Sequence, residues 1–310
     1  QSLYYLGEYE ESLEELRRAA VRVRETSDLG REALFWIGLT QVELERFADA
    51  ERDFSRYING GGPQETRARL YRGIARMETD QQSGAVADFE AILDDLSGSE
   101  REYAAASLFR LYLERGEYDA VVERYETFAR SEEGTGASGD AVYREQILRY
   151  AADAAYETER YDLAEELYRR LTEYSTAAAQ WAYQRLYRIA DARDDREEMD
   201  ALFRAAERRL SGEPERLGDF WIALGSDALA RERYELAEFH LTRLWNIRRE
   251  RPVPARVAVL LARATAAQGR RSEALEILMT SLQEGEVVDD GTPARRLEAS
   301  KLLLRLDRPE

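Results

Sequence analysis

The sequence predicts an all-α chain folded as a solenoid of about eight stacked helical hairpins followed by a C-terminal helix. One short element recurs eight times along the 310 residues. Ala, Leu, Glu and Arg dominate, with only 6 Pro and with most of the 19 Gly where helices would end, which is the bias of a helix-rich chain. A chain this long also exceeds the size at which one compact core keeps growing, so a repeat array suits it.

The recurring element is an aromatic, two residues, a small residue, three residues, then a large apolar residue. The small positions are Ser12, Ala50, Ala85, Val121, Ala164, Met199, Ala237 and Ala274, at intervals of 38, 35, 36, 43, 35, 38 and 37 residues. Four residues on stand Leu16, Phe54, Phe89, Tyr125, Tyr168, Phe203, Leu241 and Leu278. Three residues before come Tyr9, Phe47, Gln82, Tyr118, Tyr161, Arg196, Tyr234 and Arg271, aromatic in five of eight. A small residue lets the second helix of a pair approach the first, and the residue at i+4 shares its face and fills the adjoining groove. One hairpin cannot bury its apolar stripe alone, so neighbours stack.

The first helices carry the other half of the pattern. Trp221-Ile222-Ala223-Leu224-Gly225 is followed at the expected offset by Ala237 and Leu241, and Gly38 and Gly73 hold the same register in the second and third repeats. A Gly inside a helix costs about 1 kcal/mol in propensity, so its recurrence points to close helix contact. In these residues the chain resembles the tetratricopeptide-repeat (TPR) family over nearly all its length. The resemblance implies a right-handed superhelix that binds protein or peptide on its concave face, with no catalytic residue, cofactor or metal. The spacing departs from the family's usual length of about 34 residues, and the sixth repeat, with Met199 and Arg196 in its key positions, diverges most. Long degenerate repeats of this sort are similar to those of bacterial envelope and assembly-scaffold proteins, which favours the periplasm or cell envelope.

The expected organisation is repeats one to four over 1–130, the first incomplete; a loop or hinge over 131–144; repeats five to eight over 145–288; and a capping helix, or the start of a further repeat, over 292–307. The chain opens within what reads as the end of a helix and closes directly after one, as a trimmed array would.

With 45 basic against 62 acidic residues the net charge is −17, which opposes nucleic acid and anionic lipid and favours a protein partner. There is no Cys, so disulfides and thiolate sites are excluded. No run reaches the roughly 18 apolar residues that span a bilayer. Gly134-Thr135-Gly136-Ala137-Ser138-Gly139 matches a dinucleotide-binding string but lacks the preceding strand, and Glu132 and Glu133 would meet any phosphate, so it reads as a loop. His240 is the only histidine, leaving a metal site or a nucleophile–histidine pair little to build on, and it reads as a surface or packing residue.

In the resembled family ligand contacts come from set positions of the first helix. Carried over residue by residue, they give an apolar wall of Phe35, Leu39, Leu70 and Ile74, then Arg110, Arg149 and Arg188 on later repeats, with Gln184 and the aromatic Trp181 beside the last. The expected role is to hold an extended or helical peptide, the arginines pairing with its acidic groups or else with neighbouring Glu and Asp. The Lys/Asn set of the family's chaperone adaptors is missing. The function expected is a protein-binding scaffold in a larger assembly; the alternative is the regulatory or targeting segment of a longer enzyme or sensor.

Overall fold

A computed structural model describes residues 1–24, 27–132, 140–247, 255–283 and 301. Among these residues sixteen helices alternate in consecutive pairs. The first helices are α1 (Ser2–Tyr5), α3 (Asp28–Glu43), α5 (Glu65–Glu78), α7 (Gly98–Glu114), α9 (Ala141–Glu157), α11 (Thr176–Ala192), α13 (Pro214–Ala230) and α15 (Ala255–Ala267). The second helices are α2 (Tyr9–Ala20), α4 (Phe47–Asn59), α6 (Gln82–Ile92), α8 (Tyr118–Glu132), α10 (Tyr161–Leu171), α12 (Arg196–Leu210), α14 (Tyr234–Asn246) and α16 (Arg271–Gln283). Every second helix therefore begins on the residue that opens the recurring element, the divergent sixth repeat included.

The reason is local. Two residues before each second helix the backbone turns left-handed, at Gly7, Glu45, Asp80, Gly116, Glu159, Asp194, Glu232 and Gly269, with φ between 52° and 82°. The N–H of the next residue then donates to the carbonyl five residues back, as from Arg46 to Gln41 or from Arg160 to Ala155, at 2.8–3.3 Å in all eight. This is the Schellman closure, which satisfies carbonyls left open at a helix end. Five of the eight sites hold Glu or Asp in a conformation that suits Gly. Three first helices are started by side-chain caps, where Ser27, Asp140 and Ser175 accept from the N–H of Gly30, Val142 and Ala178, and Pro214 opens α13, where its missing N–H costs nothing.

Packing follows the same register. All eight small positions are buried, from 0% exposed at Ala50, Ala85 and Ala237 to 5% at Met199. Phe54, Phe89, Tyr168 and Leu241 fill the grooves beside them, and burying each contributes roughly 1.5–3 kcal/mol. The helix glycines make space for these side chains. A Cβ on Gly38 would lie 2.8 Å from Phe54, on Gly73 2.8 Å from Phe89, and on Gly225 2.5 Å from Leu241. Gly73→Ala is therefore expected to destabilise by about 1–2 kcal/mol despite alanine's better helix propensity, read as a lower urea midpoint. Adding Phe89→Leu should soften the clash, and a midpoint unchanged by Gly73→Ala would contradict it.

The chain divides into two compact units, Gln1–Arg170 and Leu171–Glu310. In the first, each hairpin packs on the next from α1 to α10; in the second, α11 to α16 stack likewise. Helix occupies both ends of the stretch expected as a loop over 131–144, since α8 runs through Glu132 and α9 opens at Ala141. Residues 133–139, with most of the glycine string, lie outside the described residues. Across that stretch Glu102 of α7, 2% exposed at its side chain, accepts from Arg144 Nε at 2.6 Å and from the Asp140 N–H at 2.5 Å, tying α9 to α7. The C-terminal helix expected over 292–307 lies outside the described residues apart from position 301. Among the described residues no helix is long and apolar enough to cross a membrane.

Candidate functional site

In the unit Gln1–Arg170 the register fixes which residues of the first helices are partly exposed. Fourteen residues before the small position are Trp36 and Tyr71, and Tyr150 holds the same place in the fifth hairpin; in the fourth, Tyr103 stands one turn earlier. All four rings are half-buried. Trp36 packs edge-on to Tyr4, centroids 5.4 Å apart, and to Tyr5 at 5.8 Å, while Tyr103 meets Tyr143 at 5.4 Å. Seven residues before the small position, at the last residue of the helix, stand Glu43, Glu78, Glu114 and Glu157, all exposed.

The rings and carboxylates interleave between hairpins. Glu43 accepts from the Tyr4 hydroxyl at 2.9 Å; burial first, then this hydrogen bond, hold the Tyr4 phenol far above its ordinary range. Burial also pushes up Tyr71 and Tyr103. Arg67 beside Tyr71 opposes the rise, with Glu100 and Glu43 adding to it; at Tyr103 the Ser107 hydrogen bond and Arg110 oppose, and Tyr143 and then Glu78 add.

Three of the four residues expected as the apolar wall are buried in the core. Phe35, Leu39 and Leu70 are 2%, 6% and 3% exposed. Phe35 stacks into the core against Phe54 and Tyr57, with Leu39 in the same cluster, because α3 is apolar around most of its circumference and is covered on most sides. Their neighbours Trp36 and Tyr71 are half-buried and pack against the same core, Tyr71 stacked on Phe54 at 6.0 Å. Ile74 is half-buried. Arg110 is exposed, 3.7 Å from Glu114, and Arg149 lies over the Tyr150 ring at 5.2 Å. In the unit Leu171–Glu310, Arg188 pairs with Asp227 at 3.1 Å, Gln184 is half-buried, and Trp181 is 37% exposed with the Arg185 guanidinium 4.7 Å over its ring. These glutamates are visible in the sequence, since counting back seven from the small residue gives Glu in four repeats running.

A depression of about 500 Å³ on α2, lined by Leu13, Val21, Arg18 and Arg46 among others, lies apart from this face. Its Arg18 and Arg46 already pair with Glu14, Glu15 and Glu10.

No family profile matches the sequence, and no curated protein matches it. Solved structures do. A tetratricopeptide repeat protein from Parabacteroides merdae superposes with a TM-score of 0.52 over 90% of this chain and 99% of that one, at 13% identity. The chain has the tetratricopeptide-repeat fold. The apo form of the quorum sensor NprR from B. thuringiensis matches at a TM-score of 0.47 and 15% identity, over 88% of this chain and 81% of that one. The tetratricopeptide fold generally mediates protein–protein interaction and is typically non-catalytic.

Proposed function

We propose that this TPR chain is a non-catalytic scaffold that holds a polypeptide against the open face of its first helices and so contributes to a larger assembly. The observation that carries the reading is the row of half-buried rings on successive hairpins, Trp36, Tyr71 and Tyr150 in one register and Tyr103 one turn earlier. Half-exposed Trp and Tyr combine large contact area with a polar edge and few rotors to order, the chemistry of binding anchors. Ile74, Arg110 and Arg149 flank these rings; Phe35, Leu39 and Leu70 support them from within. Trp181, Gln184 and Arg188 form the corresponding patch of the other unit, and any acidic group of a partner would meet Arg110, Arg149 or Arg188 there.

The test is crosslinking of partners from the source cells to the full-length chain. A photo-reactive residue in place of Arg110 or Trp181 should capture a partner, and one in place of Glu123 or Glu166 on the second helices should not. Capture only from the second helices would overturn the reading.

A further inference from the structure

One joint of the first unit is closed by charge at a place that the other hairpins fill with hydrocarbon. Thirteen residues before the small position the first helices carry Ile37, Leu108, Ala151, Leu186, Leu224 and Leu261, none more than 4% exposed. In the third hairpin that place belongs to Arg72, whose side chain is 11% exposed.

Arg72 is one member of a closed ring across three helices. Its Nε and Nη2 donate to Asp88 of α6 at 2.9 and 2.5 Å, and its Nη1 donates to the Ser55 hydroxyl of α4 at 3.2 Å. Ser55 donates in turn to Glu51 at 3.3 Å, and Arg76, one turn on from Arg72, donates to Glu51 at 3.0 Å and to Asp88 at 2.8 Å. Two cations and two carboxylates make the ring neutral, and none of its buried side-chain nitrogens or oxygens lacks a hydrogen bond.

Stability alone does not account for such a ring. Replacing a buried ion network by apolar residues of like volume is commonly neutral or stabilising, whereas a fully satisfied polar network specifies one arrangement of its parts. Here the arrangement is axial. α4 and α5 run antiparallel, with Glu51 opposite Arg76 and Ser55 opposite Arg72, so two polar rungs stand one turn apart along the joint between the second and third hairpins. A slip of one turn would set Arg76 against Ser55 or against Phe47 and break the pair with Glu51 in either case, which is costly for charges held away from water. Apolar contacts are non-directional and distinguish neighbouring turns far less. We propose that Glu51, Ser55, Arg72, Arg76 and Asp88 form a register key that locks the third hairpin at one height on the second. Trp36 and Tyr71, which share a place in their hairpins, are thereby held at one relative height. The key is independent of what the first-helix face binds.

The chain has no Cys, so spin labels can be placed by Arg52→Cys on α4 and Glu65→Cys on α5 without background. Pulsed electron–electron double resonance should give one narrow distance for the labelled parent. In the variant Glu51→Leu, Arg72→Leu, Arg76→Ala, Asp88→Leu, each new residue is one that another hairpin holds at that place, as Leu13, Leu108, Ala155 and Leu167. Its urea midpoint should match or exceed the parent's, while the distance distribution broadens or splits by about 5 Å, one helical turn. Glu51→Leu with Arg76→Ala, which keeps the pair of Arg72 with Asp88, should broaden it as well, and this variant carries the test if the fourfold one does not fold. A single narrow distance in the folded variants, whatever their midpoints, would overturn the proposal, since packing then sets the register unaided. A broad distribution already present in the parent would overturn it too.

Discussion

Replacing Asp88 by Ala should lower the stability of the first unit by about 3–5 kcal/mol, toward the lower figure. The Asp88 side chain is 1% exposed and receives Arg72 through two bonds, Nη2 at 2.5 Å and Nε at 2.9 Å, as well as Arg76 Nη1 at 2.8 Å. Arg69 lies further out at 3.6 Å. Truncation would leave the Arg72 guanidinium, 11% exposed, without its carboxylate. Arg76 keeps Glu51 at 3.0 Å and Arg72 keeps the Ser55 hydroxyl at 3.2 Å, which tempers the loss. Urea unfolding reads the effect. A double-mutant cycle with Arg72→Met should show strong coupling, because an apolar pair of similar volume removes the stranded charge as well. A loss under about 1 kcal/mol, typical of an exposed pair, would show that the network contributes little.

Between pH 6.5 and about 4.5, above the range where carboxylates take up protons, acid should destabilise the second unit chiefly through one side chain. His240 is fully buried, its Nε2 3.0 Å from the Tyr187 hydroxyl and its ring against Phe203 and Phe239. Burial, and then the Arg243 guanidinium lying over both phenylalanines, push its pKa down from 6.5 to about 3. The folded chain therefore keeps a neutral imidazole while the unfolded chain takes up a proton. The stability from this group is fully present above pH 6.5 and is lost as pH falls from there toward 3. Each pH unit in that window costs about 1.4 kcal/mol, so roughly 2–3 kcal/mol goes by pH 4.5. His240→Leu should be less stable at neutral pH, where Tyr187 loses its partner, and should lose less than the parent on acidification. Parallel pH profiles for the two proteins would rule the histidine out as the source.

The hairpin register was readable because it is written locally. A small residue, a large one at i+4 and a glycine opposite are all near in sequence, and even Met199 at 5% exposed kept its place. The wall was harder. Phe35 and Trp36 are adjacent and both aromatic, and which one faces inward depends on how the neighbouring hairpins cover α3, which no spacing rule records. The ion pairs were beyond sequence for the same reason, since Arg188 with Asp227 and Arg72 with Asp88 join helices whose approach is a property of the fold. His240 was open between surface and packing until Tyr187, 53 residues away, settled it. The left-handed turns at Glu45, Asp80, Glu159, Asp194 and Glu232 escaped because those positions ordinarily advertise themselves as glycine.

Those eight turns also set an order of events during synthesis. Each is sealed by a bond spanning five residues, and the contacts that shape its hairpin lie within a few dozen more. Chains built from such short-range contacts fold fast, because little loop entropy is spent before the first contacts form. A hairpin emerging from the ribosome already contains the instructions for its own bend and needs only its predecessor to cover its apolar stripe. Growth by one more hairpin then requires no redesign of the rest, which suits a chain whose repeat lengths range from 35 to 43 residues.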